Sequence, residues 1–173
     1  MIPGWTYVSN GGFDIYEDNE DGLVPAQGSY YVSFGHDGTN GGSLTQTFAT
    51  APGRTYTVSY FVAEQQGDDP TQDMQAILTN GAQQLTADNT ALPSVFQHGK
   101  SISFTASGTS ATIEFLDATP AGGGGSSNLA LDGVAVSSSV GGVPEPTSWL
   151  LLIMGIGMAG AGLRTRRTAP LIA

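Results

Sequence analysis

The chain has 173 residues, of which 39% are hydrophobic, 12% are charged and none is cysteine. This length accommodates one ordinary domain and a tail, and the absence of cysteine excludes disulfides, thiolate nucleophiles and thiolate metal sites. Residues 1–143 carry two basic side chains, Arg54 and Lys100, against fourteen acidic ones, a net charge of −12. This charge excludes nucleic-acid binding, which needs basic groups, and suits an exported protein or one that takes up calcium.

Short β-rich runs separated by glycine and proline fill the chain from Trp5 to about residue 136. The clearest strand is 55–63, where apolar and polar side chains alternate and one face carries Tyr56, Val58, Tyr60 and Val62. Strands are predicted at residues 29–34, 43–48, 55–63, 74–79, 95–105, 111–116 and 129–136. The first two flank a turn-rich loop and make either a hairpin or a corner between sheets. At least seven strands with this spacing predict an all-β sandwich.

The character of the sequence changes after residue 138. Residues 139–142 are predicted to be a Gly/Ser linker, which leads into the motif Val143-Pro144-Glu145-Pro146. The uncharged run 149–163 follows, and as a helix it would be about 22 Å long. Flanking residues and local thinning allow such a helix to span a bilayer as a single transmembrane segment.

An arginine cluster closes the apolar run: Arg164, Arg166 and Arg167. The positive-inside rule places this cluster and residues 168–173 in the cytoplasm, with the β domain outside the inner membrane. The prolines of the motif keep Glu145 in an extended segment just above the bilayer, where a processing enzyme can reach it.

These three parts, in this order, resemble the PEP-CTERM sorting signal over residues 143–167. The resemblance implies recognition by an exosortase, cleavage near the motif, and transient anchoring in the inner membrane. It further implies delivery to the cell surface or to an extracellular exopolysaccharide or biofilm matrix of a Gram-negative-type bacterium. A plain C-terminal membrane anchor is the alternative.

Two segments of the β-rich part resemble galactose-binding-like jelly-roll modules of carbohydrate-binding domains. They are GSLTQTFATAPGRTYTVSYFVA at 42–63 and LALDGVAV at 129–136. The resemblance implies a jelly-roll β-sandwich over residues 1–138. The family's opening motif resembles Asn10-Gly11-Gly12-Phe13-Asp14, but Gly4-Trp5-Thr6 already precedes it. We therefore expect the chain to lack the family's first strand and a signal peptide, which would leave residues 129–136 with an unpaired neighbour.

Modules of this family often hold a structural calcium ion, and Asp132 stands at the position of their closing aspartate. Calcium needs six to eight oxygen ligands, several of which the missing strand would supply. Asp14 begins an acidic run that ends at Asp21 and makes a second candidate locus. A solvated loop is the alternative for that run.

Glycan binding by this domain would require exposed aromatic rings beside polar side chains. Tyr30 and Tyr31 point to opposite faces of their strand, so at most one of them can belong to the core. Core packing is the alternative role for every candidate. The candidate glycan contacts are Trp5, Tyr7, Tyr16, Tyr30, Tyr31 and Tyr60.

No catalytic residue is predicted. His36 and His98 have no metal-ligand spacing, and the chain has no Gly-x-Ser-x-Gly elbow. We expect a non-enzymatic exported protein whose carbohydrate-binding-like module associates with extracellular polysaccharide. The alternatives are a structural or adhesive surface protein without a sugar pocket, and a minor enzyme of matrix remodelling.

Overall fold

The computed structural model describes residues 2–8, 13–17, 22–35, 41–64, 72–90, 92–120 and 129–139, with only the backbone for 97–99. Internal contacts divide the chain into two compact units, Met1–Ser139 and Val140–Ala173. The predicted sorting motif, membrane helix and arginine cluster belong to the second unit, which lies outside the described residues. In the described ranges, no helix is long and apolar enough to cross a membrane.

The first unit is a sandwich of two antiparallel sheets. β1, β4, β9, β6 and β7 form the first sheet in that order, and β2, β3, β10, β5 and β8 form the second. This architecture confirms the all-β sandwich predicted from the sequence. The strands are β1 (Thr6–Val8), β2 (Phe13–Glu17), β3 (Tyr30–Phe34), β4 (Ser43–Ala49), β5 (Thr55–Glu64), β6 (Asp73–Asn80), β7 (Gln83–Thr90), β8 (Gln97–Thr105), β9 (Ser110–Asp117) and β10 (Leu129–Ser139).

The main core lies between the two sheets. Alternation along β5 turns one face inward, and the four residues that the sequence places on that face are all buried: Tyr56, Val58, Tyr60 and Val62. The ring of Tyr60 meets the ring of Phe115 on β9 edge-on, with 5.0 Å between their centroids. Aromatic contact across the gap therefore joins the second sheet to the first.

A smaller core covers part of the outer face of the second sheet. Tyr16 on β2 stacks against Tyr31 on β3 with ring centroids 5.7 Å apart. Leu23, from the segment between β2 and β3, is buried against these rings together with Ala63 and Ala130. The second sheet is thus buried on both faces in this region.

All seven strands expected from the sequence are present, and three more were not expected: β1, β2 and β7. β7 was missed because it is an edge strand whose mostly polar side chains face solvent. β2 was missed because its acidic residues interrupt the apolar pattern. A loop, the alternative given for the acidic run, is wrong for Asp14 and Glu17, which lie on this strand. β3 and β4 belong to different sheets, so the connection between them is a corner and not a hairpin.

The last strand, β10, has partners on both sides along its first three residues. Leu129–Leu131 pair with β3 on one side and with β5 on the other, so the unpaired neighbour expected there is wrong for these residues. β10 then bulges between Asp132 and Ala135, where Gly133 has a φ of 57°. Beyond the bulge, β5 is the only strand of the described chain that pairs with Ala135–Ser139.

Candidate functional site

The row of inward-facing side chains on strands β2 and β3 extends past the edge of the main core. Phe13 and Phe34 are directly opposite each other, pack against that core and meet edge-on at 5.8 Å. Steps of two residues place Ile15, Glu17 and Tyr30 on the same face. The core ends before it covers this part of the face, since Ile15 is 48% and Tyr30 56% exposed. We call Ile15, Glu17 and Tyr30 the β2–β3 edge site.

Within this site, Tyr30 and Glu17 are directly opposite each other in the strand register. The Tyr30 hydroxyl donates a hydrogen bond of 3.0 Å to Oε1 of Glu17. This hydrogen bond and the negative charge of Glu17 raise the pKa of Tyr30 above its ordinary value of 10.0. The hydroxyl therefore stays protonated at neutral pH and remains a donor.

The β2–β3 edge site combines the two elements that sugar recognition requires. The exposed ring of Tyr30 offers an apolar face on which a pyranose ring can stack, and the carboxylate of Glu17 accepts hydrogen bonds from hydroxyl groups. Ile15 adds exposed apolar surface one step along the strand. Of the two partners, sequence reasoning identified Tyr30 and missed Glu17, because β2 was not expected to be a strand.

Two other candidate aromatics, Tyr7 and Trp5, pack against rings in or next to the main core. Tyr7 on β1 is 44% exposed and stacks on Phe13 with ring centroids 5.0 Å apart. Trp5 is half-buried, and its ring packs against the ring of Phe115 with 6.2 Å between their centroids. Trp5 also lines an apolar cleft of about 170 Å³, together with Ile2, Val32, Leu44, Leu131, Asp132, Gly133 and Val134.

The remaining candidate aromatics are buried. Tyr16 and Tyr31 belong to the smaller core, and Tyr60 belongs to the main core. Burial raises the pKa of Tyr60, and a hydrogen bond from Asn89 partly offsets this effect. None of these three rings presents a face to solvent in the fold.

A second cleft lies on the outer side of the second sheet and has a volume of about 270 Å³. Its lining is apolar except for one serine, and two of its valines are exposed, Val24 and Val95. Because polar side chains are scarce there, the cleft suits an apolar group better than a sugar. The lining residues are Gly22, Val24, Ala26, Phe61, Ser94, Val95 and Phe96.

The calcium candidate Asp132 is held by backbone hydrogen bonds. Its Oδ2 accepts from the N–H of Gln27 at 2.8 Å, and its Oδ1 accepts from the N–H of Gly133 at 2.6 Å. No group of three acidic, histidine or cysteine side chains in the described ranges is arranged to hold a metal ion. Asp132 and half-buried Asp14 stay predictions as calcium ligands.

Acidic and amide side chains that sequence analysis did not select are buried at the end of the sandwich where β5 and β9 finish. Both carboxylate oxygens of Asp117 accept backbone hydrogen bonds, from Gly41 at 3.3 Å and from Thr119 at 3.1 Å. Gln72 donates to Glu64 at 3.2 Å. Alternation along β9 was the available signal, since Asp117 continues the inward-facing series that includes Phe115.

The carboxyl group of Asp73, next to Gln72 in the sequence, is harder to ionise in the folded protein than in water. Desolvation and the nearby charges of Asp88 and Asp117 raise the pKa of Asp73 above its ordinary value of 3.8. Oδ1 of Asp73 and Oε1 of Gln72 are buried, and no hydrogen-bond donor reaches either atom from the described residues. Charged Asp73 is therefore disfavoured in the folded state.

Comparison with known protein families decides the nature of the tail. Residues 142–167 match the PEP-CTERM protein-sorting motif. This match confirms the resemblance noted from the Pro-Glu-Pro motif, the apolar run and the arginine cluster. The motif indicates an exported protein that an exosortase processes at its membrane anchor.

The β-sandwich is similar in fold to solved carbohydrate-binding modules. TmCBM61, solved in complex with beta-1,4-galactotriose, is 14% identical with a TM-score of 0.57, and the match covers 79% of this chain and 90% of that one. The xylan-binding CBM22-1 domain of Paenibacillus barcinonensis Xyn10C is 16% identical with a TM-score of 0.50, covering 78% of this chain and 85% of that one. At these identities the likeness establishes the fold, a two-sheet sandwich like the jelly rolls of carbohydrate-binding modules.

A larger protein contains a similar domain. The enzymatically active domain of tailspike protein 4 from bacteriophage CBA120 is 14% identical with a TM-score of 0.58, and the match covers 79% of this chain. The chain spans only 20% of the length of that tailspike structure. No protein with a curated description matches the sequence.

Proposed function

We propose that the β-sandwich binds polysaccharide outside the cell through the β2–β3 edge site. The observation that carries this proposal is the exposed ring of Tyr30 directly beside Glu17 on an open part of the sheet face. Tyr30 would stack on a sugar ring while Glu17 accepts hydrogen bonds from its hydroxyl groups. Tyr7 and Ile15 would extend the contact along the strand.

The dimensions of the exposed face favour an oligosaccharide over a single sugar. From Phe13, which Tyr7 covers, to Glu17 the strand rises four residues, about 13 Å. The similar folds of TmCBM61 and of the CBM22-1 domain support the same choice, since they were described with beta-1,4-galactotriose and as xylan-binding. The sandwich would thus act as a binding module without catalysis of its own.

The tail would deliver this module to its substrate. In this proposal residues 149–163 cross the inner membrane as a helix, and the arginines at 164, 166 and 167 hold its end in the cytoplasm. Exosortase cleavage near Pro144-Glu145-Pro146 would then release the module to the cell surface or to an exopolysaccharide matrix. Association with a biofilm follows from this location.

A glycan array tests the binding proposal with the full chain held in mild detergent. Wild-type protein should bind at least one polysaccharide, Tyr30→Ala should lose that signal, and Tyr30→Phe should keep most of it because the ring remains. Val95→Ala, which truncates an exposed side chain of the second cleft, is the matched control and should bind normally. Absence of signal across neutral, acidic and basic polysaccharides would refute the proposal.

A structural or adhesive surface protein without a sugar pocket is the second candidate function. The first part of the outer face of β5 and β8 favours it, because three successive pairs there carry hydroxyl side chains: Thr55–Thr105, Thr57–Ser103 and Ser59–Ser101. Thr57 and Ser103 hydrogen bond to each other at 2.8 Å, and Thr55 and Thr105 at 3.4 Å. A flat, uncharged face whose hydroxyl groups satisfy one another suits a solvated spacer.

A further inference from the structure

We propose that the β2–β3 edge site selects glycans that carry free, protonated amino groups. This inference rests on the proposed function and names the chemical class of its ligand. A hexosamine unit without an acetyl group would place its ring on Tyr30 and its ammonium group beside the carboxylate of Glu17. Neutral and acidic glycans would bind more weakly.

The geometry of Tyr30 and Glu17 suits a ligand that carries an ammonium group. The Tyr30 hydroxyl is 3.0 Å from Oε1 of Glu17, so a ligand that stacks on the exposed ring also lies within reach of the carboxylate. An ammonium group donates a charge-assisted hydrogen bond to a carboxylate, and the face of an aromatic ring attracts it further. A hydroxyl group at the same position also donates to the carboxylate, but it lacks the positive charge that adds attraction to the carboxylate and to the ring face.

The cationic side chains of the described residues lie far from the site. Before the arginine cluster of the tail, Arg54 and Lys100 are the only lysine or arginine residues. Lys100 lies on β8, four strands from β2 in the sheet order, or about 19 Å at ordinary strand spacing. Arg54 directly precedes β5, three strands from β2 and about 14 Å away.

Both distances exceed the screening length of about 8 Å at physiological salt. Neither of these two side chains therefore offers an acidic glycan a favourable contact at this site. Asp14 adds a second carboxylate on the same strand, on its opposite face.

The net negative charge of the whole domain also favours a cationic glycan. Fourteen acidic residues against two basic ones in residues 1–143 attract a polycation and repel a polyanion, and this effect weakens with salt. Global charge alone would not distinguish one surface position from another. Assignment to the β2–β3 edge site therefore requires a comparison between Glu17 and an acidic residue elsewhere.

Isothermal titration of the full chain in mild detergent provides the test, with three probes. The probes are an oligomer of β-1,4-glucosamine, its fully N-acetylated form and an oligogalacturonate of the same length. At a pH where the amines are protonated, we expect about tenfold tighter binding of the glucosamine oligomer than of the acetylated one, as two exposed charge contacts would give. High salt should reduce this preference.

Three variants assign the effect to residues. Glu17→Gln should remove most of the preference for the amine, because it should weaken binding of the glucosamine oligomer more than binding of the acetylated one. Glu114→Gln removes one negative charge from β9 in the other sheet and should retain the preference. Tyr30→Ala should weaken binding of both oligomers.

Each outcome has one consequence. Equal affinity for the two glucosamine oligomers, or equal effects of Glu17→Gln and Glu114→Gln, would overturn the amine selection and leave the proposed glycan binding intact. Binding of the acetylated oligomer that is lost in Tyr30→Ala would support the proposed function by itself. Failure of wild-type protein to bind any of the three probes or any array glycan would overturn both.

Discussion

The backbone N–H of Gln27 donates a hydrogen bond of 2.8 Å to Oδ2 of Asp132, a residue 105 positions later in the chain. Oδ1 of the same carboxylate accepts from the N–H of Gly133. Asp132 therefore fixes the segment between β2 and β3 to the bulge in β10. That segment carries Leu23 of the smaller core and leads directly into β3, which positions Tyr30.

Replacing Asp132 with asparagine should loosen this attachment. The asparagine amide keeps one oxygen acceptor but presents an N–H₂ group to the other backbone donor, so we expect a loss of about 1–2 kcal/mol in the free energy of unfolding. Urea denaturation measures the change. Glu114→Gln, an isosteric change of an acidic residue on another strand, should cost less than about 0.5 kcal/mol. Equal losses in the two variants would contradict the role assigned to Asp132.

Gly133 makes the bulge possible, and its replacement should be more damaging. Its φ of 57° is in the left-handed region, and an added Cβ would lie 2.6 Å from Cδ2 of Phe61. Gly133→Ala should therefore lower the free energy of unfolding by about 2–4 kcal/mol through backbone strain and overlap with the ring.

Gly108 supplies the matched control, because an added Cβ there meets no atom within 4 Å and its φ is not positive. Gly108→Ala should be close to neutral in the same denaturation experiment. In the double variant Gly133→Ala/Phe61→Ala, removal of the ring should recover part of the loss that Gly133→Ala causes relative to Phe61→Ala alone. Purely additive losses would show that the contact with Phe61 does not matter.

Periodicity in the sequence was sufficient to predict most of the sandwich. The alternation along β5 predicts which residues share a face, and the adjacent positions of Tyr30 and Tyr31 predict that at most one ring is in the core. Both predictions depend on local geometry, since successive side chains of any strand point to opposite faces. The sorting tail was predictable for a similar reason, because its parts are contiguous in sequence.

The choice between Tyr30 and Tyr31 could not be made from the sequence. Tyr31 is buried because Tyr16, Leu23 and the distant Phe96 pack in the same cluster on that face of the sheet. Tyr30 is exposed because the main core ends near Phe13. These facts depend on which strands pair and where the opposing sheet ends, which local patterns do not encode.

Asp73 predicts a specific pH dependence. Its folded pKa is raised mainly by desolvation, then by Asp88 and Asp117, while hydrogen bonds from the Asn89 backbone and the Gln75 side chain lower it. A raised folded pKa means that the folded state binds the proton more tightly than the unfolded state. The stability cost of charged Asp73 is therefore full at neutral pH, falls as the pH drops through the folded pKa, and disappears below the ordinary value of 3.8.

Asp73→Asn removes this titration and should be more stable than wild type at neutral pH. The difference in free energy of unfolding between variant and wild type should shrink as the pH is lowered toward the ordinary aspartate range. Urea denaturation of both proteins across this pH range measures the difference, and subtracting the two curves cancels the acid sensitivity of the other carboxylates. A difference that does not change with pH would rule out the raised pKa as its cause.

The sorting motif should be required for processing but not for folding of the sandwich. Exosortase recognition depends on the motif within the matched residues 142–167, so the triple variant Pro144→Ala/Glu145→Ala/Pro146→Ala should accumulate as uncleaved protein in the inner membrane. Cell fractionation and electrophoretic mobility measure the accumulation. The triple variant Ser137→Ala/Ser138→Ala/Ser139→Ala, which changes the end of β10 just upstream, should be processed as wild type. Normal cleavage of the motif variant would refute the role assigned to Pro144-Glu145-Pro146 in processing.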